Sequence, residues 1–507
     1  MLGDQNIASG TGAGNNVTGN YNLAIGAEGA GSNVTGVGNI AIGDSAGSSS
    51  TNPLTGNNTV AIGTVARATA TDAIAIGTHS LAEGSVAIGA YSHAANGGTA
   101  IGDYSTATGF NSAALGAYAS ALGASSIAAG DNADAIGDNS SAVGVNAAAI
   151  GLNSSALGVN SLALGASSIA AGDNADATND NTSALGVNAL ASGPNASALG
   201  VNTIASGTSS VAVGDNADAT SANTIAIGTV AQATAAGATA IGLNASASGF
   251  DTIAIGTNSI ATNSVAVGNA AHAANGGAAF GDYSVATGSD ATALGPNANA
   301  TGGDSVAIGD SAFATAHNTV AVGDDANASV NYATALGAHS SAPGEGGTTV
   351  GYHTYAGGYH STAIGIDAYA SGNNSVALGA GSIATRDKTV SVGRPGMERT
   401  ISNVAPGVFG TDAVNVNQLR NKVHKLDRDL SGGIAAAAAQ VNAMPYLPGI
   451  FTVGMSGASY NGEGAVGFTI SRWSCKGSWD INAGVSYGFH DTPIFRGGIV
   501  IPLGKVD

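Results

Sequence analysis

Short bursts in which branched apolar residues alternate with small ones recur along most of this sequence. Asn263-Ser264-Val265-Ala266-Val267-Gly268 and Asn374-Ser375-Val376-Ala377-Leu378-Gly379 are examples. Alternation with a period of two is strand periodicity, so Val376 and Leu378 share one face. The next half-unit, Ala380-Gly381-Ser382-Ile383-Ala384-Thr385, repeats the alternation with smaller residues. Each unit therefore predicts two short strands and two tight turns. Glycine, and the asparagine two residues after it at Asn132, Asn146, Asn188, Asn202, Asn216 and Asn244, suit the positive-φ corners that such turns need.

The burst returns about every fourteen residues from Gly63 to Gly393, which is the mark of a solenoid. Only the steps 77 to 89 to 102 and 256 to 268 to 281 are shortened, to twelve and then thirteen. Both shortened stretches carry His-Ala-Ala-Asn-Gly-Gly, at 93 and at 272, and Gly-Asp-Asn-Ala-Asp recurs at 130, 172 and 214. Coils have been copied in blocks. Roughly 25 coils spaced about 4.8 Å apart stack to about 120 Å. The expected interior is Ala, Val, Ile and Leu, with further alanine and valine exposed on the outer faces, which predicts lateral association. Residues 1–60, where Gly26, Gly43 and Gly63 are irregularly spaced, leave open whether they form complete coils.

The pattern changes after Gly393. Leu419, Val423, Leu426 and Leu430 recur at four, three, four, which is heptad spacing and predicts a short coiled coil. Five alanines from Ala435 to Ala439 then keep helical propensity while removing bulk, as a helix in a narrow space requires. Four alternating segments follow. Their apolar sets are Phe451, Val453, Met455; Val466, Phe468, Ile470; Trp479, Ile481, Ala483, Val485, Tyr487, Phe489; and Phe495, Ile499, Ile501, Leu503. The opposite faces carry Gly, Ser, Thr, Asp480, Asn482 and Arg496. Apolar on one side and small or polar on the other is the pattern of a membrane β-barrel. Turns are expected at Tyr460-Asn461-Gly462, Ser474-Cys475-Lys476-Gly477 and Asp491-Thr492-Pro493. Four strands cannot close a barrel, and open edges are not tolerated in hydrocarbon, so three chains supplying twelve strands are expected.

Charge divides the chain at the same place. The 23 acidic residues before residue 386 face Arg67 alone, a net charge of −22, whereas the remainder carries +3. A rod without basic stripes is a poor partner for nucleic acid. The single cysteine, Cys475, excludes an internal disulfide framework and Cys-cluster metal sites. No run of eighteen apolar residues occurs. The sequence opens Met1-Leu2-Gly3-Asp4 directly in repeat, so if the chain is exported its start is expected to be truncated.

In these features the chain resembles the YadA-like trimeric autotransporter adhesins (type Vc secretion). The hexapeptides at 263 and 374 are similar to the family's head repeat, Asp412-Ala413-Val414-Asn415-Val416-Asn417-Gln418-Leu419 to its neck, and 435–503 to its membrane anchor. The resemblance implies a mainly β fold: a left-handed parallel β-roll solenoid head, a neck, a short trimeric coiled coil, and four C-terminal strands per chain in a 12-stranded trimeric outer-membrane β-barrel. The divisions are then 1–393 head, 394–418 neck, 419–443 stalk and pore helix, and 444–507 anchor. It implies a homotrimeric, non-enzymatic adhesin without cofactor or metal, on a Gram-negative surface. Sec and barrel-assembly machinery would serve it, and an extracellular-matrix protein such as collagen, a host-cell receptor or a like bacterium would be bound. Ligand-binding residues implied by the head repeats are Asn263, Ser264, Val265, Val267, Asn374, Ser375 and Val376. Trimerisation falls to Asp412, Val414, Asn415, Gln418, Leu419, Val423, Leu426 and Leu430. The family's last strand ends on an aromatic residue, whereas this chain runs Ile501-Pro502-Leu503-Gly504-Lys505-Val506-Asp507.

Two features of the rod stand out beside the repeat. His339, His353 and Asp367 each follow a marker glycine by two residues and should stack on one edge, either as solvated turn residues or as a metal- or proton-sensitive patch. Tyr352, Tyr355 and Tyr359, with His353 and His360, form the only aromatic cluster expected in the rod, and suit either a binding surface or the filling of a wider coil. Gly10-Thr11-Gly12-Ala13-Gly14 lacks the lysine and helix of a phosphate loop. Two other functions fit a solenoid: a left-handed β-helix acyltransferase, against which the period of fourteen rather than eighteen argues, and an ice- or mineral-binding ladder, which needs one residue type aligned over many coils.

Overall fold

The computed structural model describes residues 3–47, 55–440, 445–489 and 492–504. The expected boundary at 443/444, Asp491 of the last turn, and the start and end of the sequence lie outside these residues. The chain divides into two compact units, Met1–Glu398 and Arg399–Asp507.

The first unit is a solenoid of two parallel ladders. Three-residue strands of the form X-Ala-Y, such as Ser141–Val143, Ser155–Leu157 and Ile169–Ala171, pair in register so that Ala142, Ala156 and Ala170 stack directly. Two-residue strands such as Ala148–Ala149 and Leu162–Ala163 form the second ladder, again with alanine on alanine. Of the expected interior of Ala, Val, Ile and Leu, the alanines are inside and the larger residues are not. Among the described residues, the buried apolar ones between 41 and 384 are alanines alone, and the branched residues flanking them point outward, Leu157 42% exposed and Leu199 47%. The two ladders leave room for a methyl group between them and little more, so buried serines and threonines of the turns complete the wall. Ser161 donates to the Gly158 carbonyl at 3.0 Å and Ser168 to that of Gly165 at 2.7 Å.

The corners follow the sequence reading. Asn132, Asn146, Asn160, Asn174, Asn188, Asn202 and Asn216 all have φ between 53 and 56°. Their side chains form an amide ladder, each Nδ2 donating to the next Oδ1 over 2.9–3.4 Å. The shortened steps do not disturb the first ladder: Ile76, Ile88 and Ile101 remain in register. The missing residues come out of one turn, where Ser85 donates to the Ala94 carbonyl at 2.6 Å, and the duplicated Ser264 donates to that of Ala273 at 2.7 Å. The irregular start also joins the stack. Ile7–Ser9, Leu23–Ile25, Ile40–Ile42 and Val60–Ile62 pair in parallel.

In the second unit, α1 (Val416–Ala439) precedes an antiparallel sheet of β1 (Phe451–Tyr460), β2 (Glu463–Trp473), β3 (Asp480–Gly488) and β4 (Ile494–Val500), in that order. Asn461 and Gly462, at φ 48 and 89°, make the two-residue turn between β1 and β2, as Asn-Gly between alternating strands predicts. Gly477, at φ 65°, helps close the β2–β3 turn.

Two outcomes follow. Gly144 has φ 140°, and a Cβ there would lie 2.2 Å from the Gly158 carbonyl oxygen. Gly144→Ala should destabilise the solenoid by at least about 1–3 kcal/mol, seen as a lower urea midpoint by circular dichroism. Asp134, Asp176 and Asp218 are half-buried in the second ladder, and burial raises their carboxyl pKa. The ionised forms are thus disfavoured by folding at neutral pH, a penalty relieved as pH falls through the raised values. Replacing all three with Asn should raise the melting temperature at pH 7, the gain shrinking as pH approaches the ordinary carboxylate range of about 4.

Candidate functional site

Solenoid corners and outer faces are the only surfaces the first unit offers, because its interior is closed by alanine. The head-repeat residues divide accordingly. Ser264 is buried, accepting from Thr262 N–H while donating to Ala273 O, and Ser375 is fully buried and donates to the Gly372 carbonyl at 2.6 Å. Both belong to the coil wall and present no group to a ligand. Asn263 and Asn374 occupy positive-φ corners on the surface, while Val265, Val267 and Val376 lie half-exposed on the outer face.

Six coils separate Val267 from Val350, so Asn263, Val265 and Val267 share no site with the tyrosine cluster, whereas Asn374 lies on the coil next to Tyr359 and donates its N–H to the Tyr359 carbonyl at 2.7 Å. All three tyrosines project outward and none fills a coil. Tyr352 stands edge-on to His339 at 5.6 Å, Tyr355 stacks on Tyr369 at 4.8 Å, and Tyr359 meets His360 edge-on at 4.0 Å. His339, His353 and Asp367 do share one corner. His353 Nδ1 lies 2.8 Å from Asp367 Oδ1, and His339 Nδ1 lies 3.5 Å from Asp325 Oδ2. With Tyr355 and Tyr369 they line a shallow groove of about 300 Å³. Asp324 adds a carboxylate beside His339. Ion pairs this exposed contribute about 0–1 kcal/mol each.

The tyrosine cluster is not the rod's only one. His79, Tyr91, Tyr104 and Tyr118 form a column of parallel rings 4.8–5.0 Å apart. Each follows a marker glycine (77, 89, 102 and 116) by two residues, the register rule that puts His339 above His353, so the signal was present in the spacing.

The neck residues form a hydrogen-bonded cap. Asn415 caps α1 by accepting from Gln418 N–H at 3.0 Å, and the Gln418 side chain accepts from Asn415 N–H and Gly407 N–H and donates to Gly407 O. Asn415 Nδ2 donates to Val404 O at 3.1 Å. Asp412 accepts from the backbone N–H groups of Val408 and Phe409 at 2.8 and 2.9 Å, which holds its pKa below the usual carboxylate range. Val414, Leu419, Val423, Leu426 and Leu430 are all more than half exposed, a stripe that none of the described residues covers.

In the sheet, Phe451, Val453, Met455, Phe468, Ile470, Ile481, Tyr487, Phe495 and Ile499 face outward and α1 packs on the other side. Ala435, Ala436 and Ala439 are buried there. Ser456 donates to the Ala439 carbonyl, and a Cβ on Gly467 would collide with that same carbonyl. Arg496 reaches back to Gln440 O at 3.3 Å. The alanine run and the small-residue face are thus two halves of one fit. No helix among the described residues is long and apolar enough to cross a membrane, which says nothing of crossing by strands.

The neck supplies two tests. Asn415→Ala should cost about 1 kcal/mol of helix stability, measured by thermal melting of α1 in the full chain. Asp412 stabilises the folded neck at pH above about 4, and that contribution is lost as pH falls through its lowered value. Asp412→Asn should therefore weaken the neck at pH 7, the difference from the parent shrinking as pH falls below the ordinary carboxylate range of about 4.

Comparison with known proteins followed these three parts. The YadA head domain repeat (2 copies) matches eighteen stretches between 55 and 382, which together cover more than half of the chain. The coiled stalk of trimeric autotransporter adhesin matches 400–440, and the YadA-like membrane anchor domain matches 443–501. Autotransporter adhesin EhaG of Escherichia coli O157:H7 is 37% identical over 98 residues, covering 16% of this chain and 6% of that protein. Trimeric autotransporter adhesin AtaA of Acinetobacter sp. (strain Tol 5) is 35% identical over 79 residues, covering 16% and 2%. Autotransporter adhesin NhhA of Neisseria meningitidis serogroup B is 35% identical over 94 residues, covering 17% and 16%. The matches thus span less than a fifth of each relative's length. The crystal structure of the collagen-binding domain of Yersinia adhesin YadA is similar at 22% identity over 52% of this chain and 86% of its own, with a TM-score of 0.12.

Proposed function

The chain belongs to the YadA-like trimeric autotransporter adhesins, and on that footing we propose that it is a homotrimeric surface adhesin anchored in the outer membrane of a Gram-negative bacterium. One observation carries the reading. The four-stranded sheet is apolar outward and has two unpaired edges, β1 and β4. Each unsatisfied backbone group costs several kcal/mol in hydrocarbon, so the sheet closes only with strands from other chains. Three chains give twelve strands, an even number as such barrels require. The Ala and Gly contacts between α1 and the sheet suit a lumen holding three helices.

Two further features support three chains. The stripe Leu419, Val423, Leu426 and Leu430 needs partner helices in the manner of a coiled coil. Ile101, Leu115, Val143, Leu157 and Leu199 expose a long apolar row on the first ladder, which side-by-side heads would cover. In this proposal residues 1–393 are the head, 394–418 the neck, 419–443 the stalk and pore helix and 444–507 the barrel. The Sec and barrel-assembly machineries deliver it, and the passenger leaves through its own barrel.

The head acts as a scaffold that repeats weak contacts along its length and threefold around its axis, so that avidity supplies what one contact lacks. It performs no reaction. Its ligand class is an extracellular-matrix protein such as collagen, a host-cell receptor or a sister cell, met by exposed corner residues including Asn263, Asn374, Tyr352 and Tyr359. The intact chain expressed on cells should migrate unheated at about three times 48.1 kDa and bind one member of a panel of matrix proteins and sister cells. Leu426→Lys with Leu430→Lys should abolish the slow-migrating species. A stable single protomer in detergent would refute the assembly.

A further inference from the structure

Among the described strand residues of the anchor, one charged side chain stands on the outward, apolar face. Arg472 on β2 lies in register with Phe451 of β1 and Ile481 of β3. The other charged strand residues, Glu463, Asp480 and Arg496, lie on the helix side: Glu463 faces Arg428, Asp480 accepts from Ser471, and Arg496 reaches Gln440 O. Arg472 holds its guanidinium 4.5 Å from the centre of the Phe451 ring, and no acceptor among the described residues takes its N–H groups. Beside it runs a groove of about 520 Å³ whose apolar lining includes Ile470, Trp479 and Ile481.

Depth decides what this cation does. An arginine on the lipid face costs about 2–4 kcal/mol at the bilayer midplane and about 0–1 near the interface. Arg472 lies one residue from the end of β2, beside the turn that carries Lys476. That turn is at the end of the sheet away from the stalk, because Asn461 of the opposite turn reaches Asp427 and Ser431 of α1. In the orientation that export requires, it faces the periplasmic leaflet, which is built of phospholipid.

We propose that this face of each protomer binds an anionic phospholipid, its phosphate on the Arg472 fork and an acyl chain in the groove of Ile470, Trp479 and Ile481. The fork matches phosphate oxygens bidentately, and Lys476 adds a second positive charge. The site is complete within one protomer, since β1 to β3 supply all of it. It rests on the membrane reading above.

Trp473 and Trp479 are the only two tryptophans of the chain and both adjoin the site, so fluorescence reports on it directly. In a Trp473→Phe background, the full-length trimer is reconstituted in phosphatidylcholine vesicles containing equal mole fractions of brominated phosphatidylglycerol or brominated phosphatidylcholine. The anionic lipid should be enriched about fivefold at Trp479, the factor one basic residue near a membrane surface confers. Arg472→Gln should remove the preference while the heat-resistant trimer persists, and Arg472→Lys should keep part of it. Equal quenching by both lipids, or a preference that survives Arg472→Gln, overturns the site. Equal quenching by both lipids, together with inorganic phosphate that the trimer retains and Arg472→Gln loses, assigns Arg472 to a free anion and overturns it too. Quenching by neither lipid refutes membrane insertion itself, a failure distinct from the others.

Discussion

The first unit depends on the in-register stacking of identical residues across an interior one methyl group wide. Alanine lies on alanine in both ladders, and marker glycine lies on marker glycine at the corners. A conventional core draws stability from large buried side chains. Here the buried apolar side chains are mostly the smallest available, so the parallel hydrogen-bond ladders and the close fit of backbone on backbone carry the load. Little that is bulkier fits between the sheets, Thr349 in the first ladder and Val17 and Val34 near the start being the exceptions, and most branched residues are pushed to the surface. An outward apolar face is therefore a direct result of a narrow inside.

The second unit meets the same problem from the other direction. Its sheet satisfies two of four strands on both sides and leaves β1 and β4 each with an open edge. Its helix buries alanines at one end and displays a leucine stripe at the other. In both units the apolar surface left over is long, regular and linear, which suits association along an axis better than a compact patch would. The neck differs in kind. Its polar side chains are used up on backbone groups, Asn415 and Gln418 serving the helix start and Asp412 the loop before it.

Much of this was legible in the sequence because repetition reads out register. The fourteen-residue step fixed which residues stack, so the asparagine corners and the pairing of His353 with Asp367 could be placed by counting. The alternation of Phe451, Val453 and Met455 and the Asn461-Gly462 turn were equally plain. What failed was the expectation that Val, Ile and Leu share the interior with Ala. Val-Ala-Val alternates whichever face is buried, and hydrophobicity favours hiding the larger residue, whereas the separation of the ladders, which no single coil encodes, decides for alanine. The burial of Ser264 and Ser375 was hidden for the same reason. The stack from His79 to Tyr118 was overlooked although the counting rule applied to it, because its members are spread through separate coils rather than clustered in sequence.

The closed register has an evolutionary corollary. Since a coil touches only the coil above and the coil below, and all present nearly the same backbone, inserting or deleting whole coils leaves every remaining junction chemically unchanged. Duplicated text such as the pentapeptide at 130, 172 and 214 lies three coils apart, so recombination between copies would excise or add intact turns. Each event alters the span of the stack by about 4.8 Å per turn without creating a misfit. Genetic slippage thereby becomes a ruler, and lineages can adjust distance from the cell while conserving every contact that holds the structure up.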